Sequence, residues 1–129
     1  MPPGVSLMTI KLSIYDDNTE LLSILATHFS KDKRFEVSTL SNVIDTIIFD
    51  TKKNKPNLIL LDVSVAKDNL FTILNDLKNS FKDIFLVIFT GYNDESLKNK
   101  CLSSGADYVF DKGIPINNLL DEIEKVCQK

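Results

Sequence analysis

The chain has 129 residues, of which 43% are hydrophobic and 26% are charged, and its formal net charge is −3. A chain of this length fits one domain that can bury a core without disulfides or a structural metal. The slight acidic excess argues against direct binding to nucleic acid, which needs a clustered basic face. No apolar run reaches the roughly 18–20 residues that span a bilayer, so we expect no membrane partner.

The two cysteines and the start of the chain bear on compartment and boundaries. Cys101 and Cys127 have neither metal-site nor disulfide-framework spacing, and reduced thiols suit a cytoplasmic protein. Residues 1–8 include two prolines and a glycine and lack the layout of a signal peptide. We predict a disordered lead-in or cloning remnant at residues 1–8, and one domain at residues 9–129.

Five short apolar runs alternate with segments of helical periodicity. Strands are predicted at residues 11–15, 35–40, 58–61, 85–90 and 108–110. The third and fourth runs are almost unbroken, which is typical of central strands covered on both faces. The helical segments carry apolar stripes that we expect to face the core. The second stripe comprises Val43, Ile44, Ile47 and Ile48, and the fourth comprises Leu97, Cys101 and Leu102.

Alternating strands and helices predict an α/β fold with a parallel sheet and helices on both faces. For this length we expect a flavodoxin-like, doubly wound, five-stranded sheet with strand order 2-1-3-4-5 and five helices. In such sheets a ligand binds at the carboxyl ends of the strands, where the order reverses between strands one and three.

Polar side chains follow four of the predicted strands. Asp16 and Asp17 follow the first strand, Asp62 the third, Thr90 ends the fourth and Lys112 comes after the fifth. Because the carboxyl ends of parallel strands meet at one edge, we expect these side chains to converge. Each has a simpler explanation alone, such as a helix cap, a turn or a surface lysine. Their joint placement favours a functional site.

Three neighbouring carboxylates repel one another unless a cation lies among them. An all-oxygen ligand set suits Mg²⁺, so Asp16, Asp17 and Asp62 are the candidate ligands, with a carbonyl near Ser64 completing the set. A carboxylate beside such a metal can attack a phosphoryl group and form an acyl phosphate, as we expect of Asp62. Lys112 and the Thr90 hydroxyl would then bind the phosphoryl oxygens.

Four motifs stand at or before these strand ends: Asp16-Asp17, Leu60-Leu61-Asp62, Thr90-Gly91, and Gly105-Ala106-Asp107 leading to Lys112. With these motifs, the chain resembles over residues 9–127 the response regulator receiver domains of two-component systems, including the chemotaxis regulator. The resemblance implies a phosphoprotein of a signalling phosphorelay, with Asp62 phosphorylated by a sensor histidine kinase or phosphotransfer protein. It also implies that the chain catalyses only its own phosphorylation and dephosphorylation. A homodimer could form through the fourth helix, fifth strand and fifth helix.

The turn after the third strand departs from the family pattern. Val65 and Ala66 replace a Met-Pro pair, and Asn69 replaces a later glycine in a loop one residue shorter. We expect Asn69 to adopt the left-handed conformation that glycine would supply. Gly113 stands where a proline often follows the family lysine, so a cis peptide is not expected there.

The fifth strand departs as well, because Val109 stands where the family has an aromatic switch residue. Tyr108 is aromatic, but alternation along the strand places it on the opposite face. These departures leave open a pseudo-receiver that binds proteins without phosphorylation. Two enzyme alternatives are weaker. A haloacid-dehalogenase-type phosphatase expects an aspartate at Ser64, and a flavodoxin would not place carboxylates beside a phosphate.

Overall fold

The structure is a computed structural model that describes residues 9–92 and 94–128. In that part of the chain, five parallel strands form one sheet in the order β2-β1-β3-β4-β5. The predicted flavodoxin-like α/β fold and its strand order are therefore confirmed. The predicted lead-in at residues 1–8 lies outside the described residues. The strands are β1 (Ile10–Tyr15), β2 (Phe35–Ser41), β3 (Leu58–Asp62), β4 (Phe85–Thr90) and β5 (Tyr108–Asp111).

Five long helices connect and cover these strands, as predicted. A short helical turn, Val63–Ala66, and a 3₁₀ turn, Lys67–Asn69, lie between β3 and the third helix; we call residues 63–69 the β3–α3 turn. None of the described helices is both long and apolar enough to cross a membrane. The helices are α1 (Thr19–Lys31), α2 (Ile47–Asn54), α3 (Leu70–Ser80), α4 (Glu95–Ser103) and α5 (Ile116–Cys127).

The core has two layers, one on each face of the sheet. The residues of β3 are all buried, because helices cover this central strand on both faces. Burying such apolar surface is the main favourable term in folding. One layer packs α1 and α5 on the sheet through Leu22, Leu25, Phe29, Leu119, Leu120 and Ile123. The other packs α2, α3 and α4 through Ile47, Leu70, Leu74, Leu77 and Cys101.

Two of the predicted apolar stripes were partly wrong. In the second segment the helix begins only at Ile47, and Val43 and Ile48 are 47% and 40% exposed. The reason is that α2 covers the margin of the sheet and buries only Ile47 and Thr51. In α4, Cys101 is buried and turns the neighbouring Leu102 outward, to 39% exposure.

The β3–α3 turn also differs from expectation. Asn69 has φ −100° and ψ 10°, so the predicted left-handed conformation at this residue was wrong. The positive φ falls instead at Lys67, with φ 50° and ψ −125°, where the helical turn Val63–Ala66 ends and the 3₁₀ turn begins. A non-glycine residue in such a region costs on the order of 1–3 kcal/mol. The described residues contain no cis peptide bond, which agrees with the expectation at Gly113.

Gly105 offers a test of the packing between α3 and the loop before β5. Its φ is +123°, and an added Cβ would lie 3.2 Å from Lys78 Cβ and 3.3 Å from the Leu74 carbonyl oxygen. We predict that Gly105→Ala lowers the free energy of unfolding by about 1–3 kcal/mol, measured by urea denaturation. Gly91→Ala is the control, because a Cβ there meets no atom within 4 Å. Equal effects at both glycines would contradict this packing.

Candidate functional site

Three carboxylates gather where β1 and β3 end. Asp16, Asp17 and Asp62 each offer an oxygen, and these oxygens lie within 4.8 Å of one another. The strands are paired with Tyr15 opposite Leu61, so the residues that follow emerge at the same edge of the sheet. Asp16 and Asp62 are only 1% and 3% exposed, whereas Asp17 is exposed. The structure therefore brings together the three acidic residues singled out in the sequence.

Lys112 joins this cluster from the segment after β5. Its Nζ lies 2.9 Å from Asp16 Oδ2 and 2.9 Å from Asp62 Oδ1. The other oxygens of the two carboxylates accept backbone hydrogen bonds, Asp16 Oδ1 from the Asn18 N–H (2.9 Å) and Asp62 Oδ2 from the Ser64 N–H (3.0 Å). Each buried carboxylate thus has one oxygen near the ammonium and one on the backbone.

Charge in the cluster is incompletely balanced, because three carboxylates face the single ammonium of Lys112 among the described residues. Burial raises the pKa of the Asp62 carboxyl, and the charge of Asp16 adds to this, while Lys112 and the Ser64 N–H act in the opposite direction. Burial works against the charged form of Lys112, but its contacts with Asp62 and Asp16 prevail and raise its pKa. Lys112 therefore stays protonated at neutral pH.

The donor set fits a hard divalent cation. All three side chains offer carboxylate oxygens, which Mg²⁺ prefers. Asp16 Oδ2 is buried and accepts no hydrogen bond of good geometry within the described residues, although Lys112 Nζ is close to it. Such an atom is available to a metal. The N–H of Ser64 donates a hydrogen bond to Asp62. The expected role of a carbonyl near Ser64 as a metal ligand stays a prediction.

Thr90 and Lys112 are held next to each other by the backbone. The N–H of Lys112 donates to the carbonyl of Thr90 at 2.9 Å, just beyond the pairing of Thr90 with Asp111. Thr90 is buried, and its Oγ1 accepts a hydrogen bond from the Tyr92 N–H at 3.0 Å. A hydroxyl and an ammonium thus stand at adjacent strand ends. The structure thus groups Asp16, Asp17, Asp62 and Lys112 and places Thr90 at the end of the neighbouring strand, while the roles of these residues stay predictions.

Comparison with known proteins agrees with this arrangement. A family model described as the response regulator receiver domain matches residues 12–124. The chain belongs to this family.

Three related proteins align with most of this chain. Sporulation initiation phosphotransferase F from Bacillus subtilis is 25% identical over 121 residues, covering 92% of this chain and 94% of that protein. Sensory transduction protein LytT from Bacillus anthracis is 26% identical over 89 residues, 69% of this chain. Transcriptional regulatory protein DegU from Brevibacillus brevis is 23% identical over 119 residues, 92% of this chain. The receiver spans 36% of the length of LytT and 50% of the length of DegU.

Solved structures with low sequence identity share the fold. The receiver domain of the putative response regulator NarL from Mycobacterium tuberculosis has a TM-score of 0.85 at 11% identity, covering 93% of this chain and 97% of that one. A CheY-like receiver domain from Methanospirillum hungatei has a TM-score of 0.83 at 19% identity, covering 94% and 95%.

The fifth strand of the receiver confirms the expected orientation of its aromatic residues. Tyr108 packs with the core layer of α1 and α5, where its ring stacks on Phe110 with centroids 4.8 Å apart. Val109 packs with the opposite layer, beside α4. The position of the family's aromatic switch is therefore occupied by a short aliphatic side chain, and the nearest aromatic residue of the strand is held elsewhere.

A polar cluster of Tyr15, Thr46 and Asp50, next to the acidic residues, was not predicted from the sequence. Tyr15 is fully buried, and its hydroxyl donates to Asp50 Oδ2 at 2.8 Å. The Thr46 hydroxyl donates to the same oxygen at 2.9 Å. Burial, and then Asp50, raise the pKa of Tyr15, so its phenol stays a donor. This cluster links the start of α2 to Tyr15, the last residue of β1. In the sequence, the feature that could have indicated a buried polar contact is the tyrosine at the end of an otherwise aliphatic strand.

The raised pKa of Asp62 leads to a prediction on stability without Mg²⁺. A raised pKa means that the folded protein holds this proton more tightly than the unfolded chain, so stability falls as the pH rises through it. We predict that Asp62→Asn raises the thermal midpoint at pH 7, by an amount that shrinks toward acidic pH. Asp83→Asn, at an exposed loop residue, is the control and should change little. A lower midpoint for Asp62→Asn at pH 7 would mean that the Lys112 ion pair dominates.

Proposed function

We propose that this receiver domain accepts a phosphoryl group on Asp62, with Mg²⁺, as part of a two-component phosphorelay. The observation that supports this most is the environment of Asp62. It is a buried carboxylate at the end of the central strand, 2.9 Å from a lysine ammonium and clustered with two further carboxylates. A buried carboxylate needs neighbouring positive charge, and a phosphoryl group needs the same positive charge once it is attached.

The residues can carry out the transfer in one displacement. An oxygen of Asp62 attacks phosphorus, and the bond from phosphorus to its leaving group breaks. The electron pair of that bond stays with the leaving nitrogen or oxygen of the donor, which then takes up a proton. The product is an acyl phosphate on Asp62. The ammonium of Lys112 would then form an ion pair with one phosphoryl oxygen in place of the carboxylate. The Thr90 hydroxyl would donate a hydrogen bond to a second phosphoryl oxygen.

Asp16, Asp17 and Asp62 would hold the metal, with the carbonyl of Ser64 as a further candidate ligand. When bound, Mg²⁺ supplies positive charge that neutralises the carboxylates and the phosphoryl oxygens. Asp17 is the exposed member of the set, which leaves one side of the site accessible to solvent and to a donor.

The partners of this reaction are proposed from the family. A sensor histidine kinase or a phosphotransfer protein would donate the phosphoryl group, in the cytoplasm, and the chain would act on no other substrate. A homodimer through α4, β5 and α5 stays a prediction. The complete set of Asp16, Asp17, Asp62, Thr90 and Lys112 supports phosphorylation over the pseudo-receiver alternative.

The first test is formation of the acyl phosphate. We predict that incubation with acetyl phosphate and Mg²⁺ adds one phosphoryl group to the wild-type chain, measured by intact mass. Omitting Mg²⁺ or introducing Asp62→Asn should abolish the adduct, because the metal charge or the nucleophile is lost. Asp83→Asn should react as the wild type does. A wild-type chain that forms no adduct and binds no beryllofluoride would favour the pseudo-receiver.

A second test concerns the metal alone. Mg²⁺ at about ten times its dissociation constant should stabilise the folded wild type by about 1.4 kcal/mol, because it binds only the folded state. Thermal unfolding with increasing Mg²⁺ measures this. Asp17→Asn should greatly reduce the shift without disturbing the fold, because Asp17 is exposed. Asp45→Asn removes an exposed carboxylate outside the cluster and is the control. Equal shifts in both variants would argue against the metal site.

A further inference from the structure

Two lysines have an unusual backbone conformation. Among the described residues, Lys55 and Lys67 are the non-glycine residues with positive φ, at 51° and 50°. Lys55 ends α2 in the left-handed conformation that commonly closes helices, with ψ 57°. Lys67 combines its positive φ with ψ −125°, a region that side chains other than glycine strongly disfavour. Strain of this kind persists where the surroundings enforce it, and it is frequent at functional sites.

Lys67 stands beside the acidic cluster. It is exposed and lines a groove of about 290 Å³ between the β3–α3 turn and the loop that leads into α2. Asp17, a candidate metal ligand, lines the same groove, so the groove borders the proposed site. Other lining residues include Val43, Ile44, Val65 and Ala66, which make part of its wall apolar.

The ammonium of Lys67 forms no ion pair with the described residues. No carboxylate there lies within ion-pair distance of its ammonium, a property that Lys67 shares with Lys55 and most other described lysines. The three carboxylates of the cluster and the ammonium of Lys112 leave two negative charges, which a divalent ion would balance. Asp45 adds a further exposed carboxylate to the lining of the groove, and this charge repels an anionic phosphodonor. The ammonium of Lys67 lies on the wall of the same groove and offsets this charge.

We propose that Lys67 is a donor-recognition residue, whose ammonium attracts and orients the anionic phosphodonor as it enters the groove beside Asp17. This inference rests on the proposed function of Asp62. A glycine at this position would relieve the backbone, so a lysine is best explained by what its side chain contributes. Lys67 acts before the chemical step and touches none of the reacting atoms. Its effect is electrostatic, and it should therefore weaken as salt is added.

The test compares phosphorylation rates of three variants. Lys67→Gly removes the charge and the strain, Lys67→Arg keeps the charge, and Lys55→Gly removes a lysine of the same backbone type. Lys55 precedes the amino end of β3, whereas the site lies at the carboxyl ends of the strands. Intact mass measures the rate of adduct formation against acetyl phosphate concentration, with Mg²⁺ saturating for each variant.

At low ionic strength and subsaturating acetyl phosphate, Lys67→Gly should react about three- to tenfold more slowly than the wild type. At about 0.5 M salt the difference should fall below about twofold, because exposed charges are then screened. Lys67→Arg and Lys55→Gly should stay within about twofold of the wild type. The thermal midpoint of Lys67→Gly should rise, which separates the slower reaction from any loss of fold.

Lys67→Gly reacting at the wild-type rate would overturn the role of Lys67 and leave the proposed function of Asp62 intact. An equal slowing in Lys55→Gly would also overturn it, because net charge alone would then explain the effect. A wild-type chain that accepts no phosphoryl group under any condition would overturn the proposed function, and this inference with it.

Discussion

The site depends on the contacts between the ammonium of Lys112 and two buried carboxylates, those of Asp16 and Asp62, each at 2.9 Å. An ionised carboxylate taken out of water costs several kcal/mol unless a partner compensates it. Lys112 compensates Asp16 and Asp62 only in part, because Asp17 adds a third negative charge nearby. The cluster therefore favours an added cation. The same positive charge is what a phosphoryl group on Asp62 would require.

The rest of the fold maintains this arrangement. Helices on both faces bury the central strands, and the parallel register brings the ends of β1 and β3 to one edge. Pairing between β4 and β5 holds the segment of Lys112 beside Thr90. The hydrogen bond from Tyr15 to Asp50 secures α2, which buries little apolar surface of its own. Each contact limits how far the charged groups can separate.

The strands and the acidic cluster could be predicted because their signals are local. Each predicted strand end lies within one residue of the structure, since central parallel strands appear as apolar runs. The start of α2 could not be predicted in this way, because Val43 and Ile48 have helical spacing but little sheet to cover. The positive φ at Lys67 depends on how two turns meet, and lysine gives no local signal for it. The Tyr15–Asp50 contact joins residues 35 positions apart, beyond any local pattern.

The most direct measurement is to locate the phosphoryl group within the chain. Borohydride reduces an acyl phosphate to an alcohol, which marks the modified aspartate for tandem mass spectrometry of peptides. After incubation with acetyl phosphate and Mg²⁺, we predict reduction at position 62, with Asp16 and Asp17 unchanged. Reduction at Asp16 or Asp17, or at an exposed aspartate outside the cluster, would contradict the assignment of Asp62 as the phosphoacceptor.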